Sequence, residues 1–207
     1  MQLKSHSDFN CTRLEEVLEI FTDAPFRWWV SGGHALEFHL GRCWRAHDDI
    51  DIGILRVDGS EVHAWLDGWE LWIAVDGDLR PWLGEALDAE TGENNVWVRA
   101  QGASSWIFDM AINSGDAEGW VYRRDQRILR SWETTILKTA NGIPYLAPEI
   151  QLLFKAKDPR PKDHRDAAEV IPELSAKQRW FLREHLGVGH PWAQMCEECW
   201  SFRRKLP

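Results

Sequence analysis

The run Asp49-Ile50-Asp51-Ile52-Gly53-Ile54 alternates a branched apolar side chain with an acidic or vanishing one. That is the period of a β-strand with one dry face, which takes Ile50, Ile52 and Ile54, and a second face carrying Asp49, Asp51 and Gly53. The two aspartates, at i and i+2, point the same way and lie about 7 Å apart along the chain. Two like charges on a strand whose other face is buried need compensation, which hard divalent cations with oxygen ligands supply. An Asp-X-Asp at a strand start also suits a solvated edge or turn, so its surroundings must decide.

Upstream, residues 11–23 place Leu14, Val17, Leu18 and Phe21 at helical spacing, with Thr12 as a candidate N-cap and Pro25 as the stop. Residues 26–31 (FRWWVS) predict a short buried strand. Gly32-Gly33 breaks it, and a helix over HALEFHL follows until Gly41. A glycine pair at a strand-to-helix turn lets backbone N–H groups approach an anion, and the helix start adds its positive end. Taken alone, Gly-Gly is usually just a turn.

Downstream, 61–68 predicts a short helix. Strands are expected at 69–76, 95–100 and 105–113, turns at 76–78 and 88–95, and a hairpin at 119–130. In 105–113, Trp106, Phe108 and Met110 are expected on one face, with Ile107, Asp109 and Ala111 on the other. From about 131 the pattern turns helical, beginning with Ser131 to Lys138, then a Gly-Ile-Pro turn and four further helical segments. The reading is an α+β chain: a mixed-sheet lobe over 1–130 and a helical lobe over 131–207, with the boundary near 131–147.

Composition narrows the classes. The chain has 207 residues, 44% of them hydrophobic and 28% charged, enough apolar surface for a core. A net charge of −9 argues against tight sequence-independent binding to nucleic acid while leaving room for a bound nucleotide. No run is long and apolar enough to span a membrane, and MQLKSHSDFN lacks the features of a signal peptide, so a cytoplasmic protein is expected. Cysteines fall at 11, 43, 196 and 199. Cys196-Glu-Glu-Cys199 has the spacing of half a zinc site, but without a second pair and with only His190 nearby, free thiols on a terminal helix are expected.

Asp109, alone in an otherwise apolar strand, is the candidate third carboxylate entering the face of Asp49 and Asp51. Three such groups can clamp two metals around an in-line phosphoryl displacement, and the third can take the proton of an attacking hydroxyl. A hydrogen bond from Asp109 to a neighbouring loop is the plainer reading.

The segment 29–55, WVSGGHALEFHLGRCWRAHDDIDIGIL, resembles the core motif of the nucleotidyltransferase superfamily with the DNA polymerase β fold, and in detail the aminoglycoside 2″ and lincosamide adenylyltransferases. Gly32-Gly33, Leu40-Gly41-Arg42, Arg45 and His47-Asp48-Asp49-Ile50-Asp51 match in order. His34 departs, since that branch often has Trp after the glycines. The resemblance implies a mixed sheet with a helical C-terminal lobe, Asp49 and Asp51 as metal ligands, and phosphate held at Ser31, Gly32 and Gly33. Residues 148–170 resemble a second segment of this family, in which Lys155, Lys157, Lys162, Asp163 and Asp166 would serve phosphates or an acceptor; solvated charges are the alternative. Arg42 and Arg45 would neutralise a triphosphate, or else pair with Asp48 or Glu37.

The expected function is therefore Mg²⁺-dependent transfer of a nucleoside monophosphate from an NTP to a hydroxyl of a small acceptor, in the manner of an aminoglycoside or lincosamide, with Asp49, Asp51 and Asp109 catalytic. A nucleotidylating toxin of a toxin–antitoxin pair and a non-catalytic nucleotide-binding module are the competing readings. The 14 Trp residues call for an explanation of their own. Trp28, Trp29, Trp97, Trp106, Trp180, Trp192 and Trp200 are expected to fill cores, and Trp44 is the candidate to stack on a base or sugar.

Overall fold

The computed structural model describes residues 14–203, with side chains as far as Glu197. Thr12, Cys11 and the side chains of Cys199 and Trp200 lie outside that range. In chain order the elements begin α1 (Leu14–Phe21), β1 (Trp28–Val30), α2 (Gly32–Leu40), β2 (Asp51–Leu55), a 3-10 turn, and α3 (Gly59–Trp65). Strands β3 (Trp69–Val75), β4 (Asp78–Pro81), β5 (Asn95–Ala100), β6 (Phe108–Gly115), β7 (Trp120–Val121) and β8 (Leu129–Arg130) follow. The remainder comprises α4 (Trp132–Thr135), β9 (Ile136–Lys138), β10 (Pro144–Leu146), α5 (Pro148–Lys155), α6 (Pro161–Val170), α7 (Ala176–His185) and α8 (Pro191–Arg203).

The main path of the mixed sheet runs β4-β3-β5-β6-β2-β1-β10-β9, with the β7–β8 hairpin attached to β6. Centrally, β2 lies parallel to β6 and antiparallel to β1. The alternation of β2 is realised: Ile50, Ile52 and Ile54 are fully buried against a core that includes Val17, Phe21, Val62, Ile73, Val96 and Met110. Burying each such side chain contributes about 1.5–3 kcal/mol. Gly53 has a packing reason on the other face. A Cβ there would stand 2.1 Å from the indole nitrogen of Trp29, so only glycine lets that buried ring cross β2.

Two expectations need correction. Residues 131–138 are not one helix: only Trp132–Thr135 is helical, and Ile136–Lys138 turns out into β9. The Gly-Ile-Pro stretch leads into β10, which pairs parallel to β1 at Val30 and Tyr145, so the sheet continues through the point where the composition changes. β-branched Ile136 and Ile143, either side of a glycine turn, favour a hairpin once β1 offers an edge. Trp106 also departs from its expected face. It precedes β6, and packs with Trp97 and Leu79 in a separate cluster, away from Phe108 and Met110. Strand β4 is an addition, following the left-handed Asp76-Gly77 turn.

α2 ends as expected, with Gly41 left-handed and its N–H bonded to Glu37 O at 2.8 Å. α5 packs on α2 and α7, and α7 on α8, so the helical half closes over one side of the sheet's centre. Trp29, Trp120 and Trp192 are core fillers, whereas Trp180 is 54% exposed and is not. Cys196 is buried and Cys43 exposed, both as thiols. Among the described residues no helix is long and apolar enough to cross a membrane. Gly53→Ala should destabilise the protein by about 1–3 kcal/mol through displacement of Trp29; urea unfolding at pH 7 measures it, and an unchanged midpoint would contradict the packing account.

Candidate active site

Asp51 opens β2 and its register partner on β6 is Asp109, so two carboxylates stand side by side on adjacent strands, about 4.8 Å apart in backbone. Burial, and then the charge of Asp49, push the Asp51 carboxyl up to about 7. Asp109 is raised well above the carboxylate range by burial first and by Asp51 second. Asn95 Nδ2 donates to Asp109 Oδ2 at 2.7 Å, and the Trp97 indole donates to the same carboxylate. Asp109 Oδ1 is buried without a partner.

Gly32 is required here by contact as well as by conformation. Its φ is +65°, and a Cβ would lie 1.8 Å from Asp51 Oδ2, in the space of the carboxylate itself. Its N–H donates to Gln151 Oε1 at 2.8 Å. The glycine turn is thus tied to α5 by a residue that the sequence pattern does not single out. Gly33 is crowded in turn by His47 and Arg45. Ser31 Oγ is buried without a partner and lines the same cleft as Gly32 and Gly33.

The cleft has a volume of about 310 Å³, and Ser31, Gly32, Gly33, Arg45, Asp49, Asp51, Asp109 and Lys155 all line it. Arg45 and Lys155 are already engaged. Arg45 grips Asp166 with two bonds, Nε to Oδ1 at 2.7 Å and Nη2 to Oδ2 at 2.9 Å, and Trp44 Nε1 adds a third at 3.1 Å. Lys155 Nζ lies 2.6 Å from Asp163 and 3.1 Å from Asp166. Against the opposing effect of burial, Arg45 and Lys155 keep the Asp166 carboxyl below its usual range. Trp44 is therefore held by Asp166. Arg42 is not brought to the cleft; it pairs with Glu169 at 2.6 Å on an exposed surface. Lys162 lines the cleft and pairs with Asp48 at 2.9 Å.

Sequence reasoning named Lys157 but missed the arginines that join it in a cationic wall. Arg123 and Arg124 from the β7–β8 hairpin line the cleft with Lys157 and Arg160. Arg123 is held down to about 10, by burial and then by the charge of Arg124, and its guanidinium sits 5.5 Å from the Phe154 ring centre. The run Tyr122-Arg123-Arg124, basic within an acidic chain, was the available signal.

The carboxylates suit a hard divalent cation: adjacent, costly to ionise without one, and with a buried oxygen left unpaired. No three described His, Cys, Asp or Glu side chains stand close enough to hold a metal unaided. Mg²⁺ characteristically takes one or two protein carboxylates and completes its shell with water and phosphate oxygens. Asp51 and Asp109 fit that mode, with Asp49 at the rim.

A mixed sheet bearing paired aspartates against a glycine turn, with a cleft that helix and hairpin cations also line, is the arrangement of a nucleotidyltransferase. The sequence matches the aminoglycoside-2''-adenylyltransferase family over residues 13–170, and the chain belongs to that family of enzymes. Two solved structures share the fold. The lincosamide antibiotic adenylyltransferase LnuA is 18% identical, with 77% of this chain and 94% of that one covered and a TM-score of 0.50. The antibiotic-resistance factor ANT(2'')-Ia is 14% identical, with 92% of each chain covered and a TM-score of 0.52. No curated protein matches the sequence.

Two outcomes test this electrostatics. Because Asp51 is raised in the folded state, its stabilising contribution is complete below pH 4 and is lost as pH rises through about 7. Asp51→Asn should therefore unfold at higher denaturant than the wild type at pH 8 in EDTA, by a few kcal/mol, and should lose stabilisation by Mg²⁺ with NTP. His34 has the opposite sign. Burial and the stacked His47 ring, 4.0 Å away, lower it to about 4, so the unfolded chain binds the extra proton and stability falls between pH 6.5 and 4. His34→Phe should remove up to about 3 kcal/mol of that acid-side loss; equal pH slopes in urea melts of the two proteins would refute it.

Proposed function

We propose that the enzyme transfers a nucleoside monophosphate from an NTP, in the presence of Mg²⁺, to a hydroxyl of a small antibiotic-like acceptor, releasing pyrophosphate. The observation that carries this reading is that Asp51 and Asp109 are register partners lining a cleft that Arg123, Arg124, Lys157 and Arg160 also line. Arg123, Arg124 and Lys157 would take the polyphosphate, with the Ser31 hydroxyl and the Gly32-Gly33 turn against it. Arg45 and Lys155 would act mainly through Asp166 and Asp163, holding the wall in place. Mg²⁺, when bound, would neutralise phosphate charge and lower the cost of ionising the carboxylates.

In the transfer itself the acceptor oxygen forms a bond to the α-phosphorus as the bond to the leaving pyrophosphate breaks. Asp109, whose Oδ1 is buried and unpartnered, would receive the hydroxyl proton. Asn95 holds Oδ2, the other carboxylate oxygen, and so favours Oδ1 as the one that faces the reaction. LnuA is described with bound lincomycin, which supports an acceptor of that general kind. A cytoplasmic setting, where NTP is plentiful, accompanies this reading.

The test is incubation with Mg²⁺, labelled NTPs and a panel of aminoglycosides and lincosamides. Labelled product and pyrophosphate should appear together; nucleotide binding without transfer to any acceptor would defeat the antibiotic reading. Asp109→Asn should lower kcat at least about 100-fold with nucleotide affinity retained. Arg123→Ala should raise KM for the NTP about tenfold, while Arg42→Ala, outside the cleft, should leave it unchanged.

A further inference from the structure

Gly32 spends its N–H inside the protein. The group donates to Gln151 Oε1 at 2.8 Å, so the first N–H of α2 is committed to α5 and is not left for an anion. That bond also fixes how the Gln151 amide is turned. A backbone N–H can only donate, so the atom facing Gly32 must be the oxygen, and the amino end of the same planar group points elsewhere. Gln151 is only 7% exposed, yet it lines the cleft, and its Nε2 has no acceptor among the described residues. The helix that carries it is pinned on either side of it. Glu149 accepts from Arg130 and from Gln178, each at 2.9 Å, and Lys155 is held by Asp163 and Asp166.

The position of this amide in the sheet matters for the reaction. Strands β6, β2 and β1 are consecutive neighbours, so Asp109, Asp51 and the glycine turn after β1 follow one another across the sheet. In-line displacement puts the attacking oxygen and the leaving group on opposite sides of the phosphorus. With the hydroxyl proton passing to Asp109 on β6, the leaving pyrophosphate lies on the β1 side, where Gly32 meets Gln151. Ser31, the residue before Gly32, adds a neutral donor of the same kind, a buried hydroxyl without a partner. Arg45 and Lys155 line the same cleft but are spent on Asp166 and Asp163.

We propose that Gln151 is a phosphate-contacting residue: its side-chain oxygen takes the Gly32 N–H, and its Nε2 donates to an oxygen of the leaving pyrophosphate. This rests on the transferase reading above and deepens it by giving the leaving group a specific donor. The amide works as a relay. Donation from the positive end of α2 polarises it and strengthens the donor at its far end. The oxygen it serves is anionic, so the bond is charge-assisted and stronger than a neutral pair. A glutamine that merely braced the glycine turn would need its oxygen alone.

The experiment titrates Mg²⁺-pyrophosphate into the full chain by calorimetry, for the wild type, Gln151→Glu and Gln151→Met. Gln151→Glu keeps an acceptor for the Gly32 N–H and removes the donor; Gln151→Met removes the donor without adding charge. Both should weaken pyrophosphate about tenfold or more. Loss in Gln151→Met alone would reduce Gln151 to a brace for the turn, loss in Gln151→Glu alone would be charge repulsion without contact, and unchanged affinity in both would remove any role; each overturns the proposal. Should either variant fail to fold, the wild type decides by NMR. The Gln151 side-chain amide protons, assigned through their proximity to the Gly32 N–H, should shift on addition of Mg²⁺-pyrophosphate, and unmoved resonances or no binding at all would overturn the contact. Pyrophosphate binding that depends on Gln151, without nucleotidyl transfer to any acceptor, would defeat the transferase reading while leaving the contact standing. Transfer with the Gln151 amide unmoved would do the reverse.

Discussion

Two carboxylates with nowhere to spread their charge govern the architecture. Asp51 and Asp109 are locked as neighbours by the backbone ladder of β2 and β6, so the repulsion between them cannot relax by a change of rotamer alone. Everything nearby is arranged around that fixed pair. Gly32 surrenders its side chain to make room for one carboxylate, Asn95 and Trp97 clamp the other, and cations from the helices and the β7–β8 hairpin face them across the cleft. The folded chain gives up stability at neutral pH to keep the pair together, which is the usual relation between a prepared site and the scaffold carrying it.

A second set of charges resolves the opposite way. Asp166 has no exposure yet gathers Arg45, Lys155 and the Trp44 indole, and Asp163 gathers Lys155 and Arg160. Removing one member would strand a buried charge, a far larger loss than any surface pair represents. The network ties the loop between α2 and β2 to α5 and α6, so the same helices that supply cations to the cleft are registered against the strand that supplies the aspartates.

The central strand, its dry face, the glycine turn, the stop at Gly41 and the β7–β8 hairpin were legible because each is fixed by local chemistry: period, punctuation and side-chain size. The motif at 29–55 carried the family for the same reason. What was not legible depended on partners remote in sequence. Residues 131–138 read as helix until β1 offers an edge for β10. Arg42 and Arg45 look equivalent in the sequence, and only the positions of Glu169 and Asp166 separate them. Gln151 and Arg123 gain their meaning from contacts across 119 residues and from a hairpin's approach to the cleft, which no local pattern encodes. Trp106 falls on the other face from the one its spacing predicts, because the alternation does not extend past the start of β6 at Phe108.

The parallel pairing of β10 with β1 has a consequence for the integrity of the chain. The composition changes near residue 131, but the hydrogen-bonded ladder does not stop there. A chain severed at that point would leave the backbone of Trp28–Val30 as a naked strand edge beside the glycine turn, with the apolar rings of Trp29 and Trp132 parted. Such an edge invites pairing with another chain. The sheet and helices are thus bound into one unit, and the last strands of the sheet are also its guard against self-association.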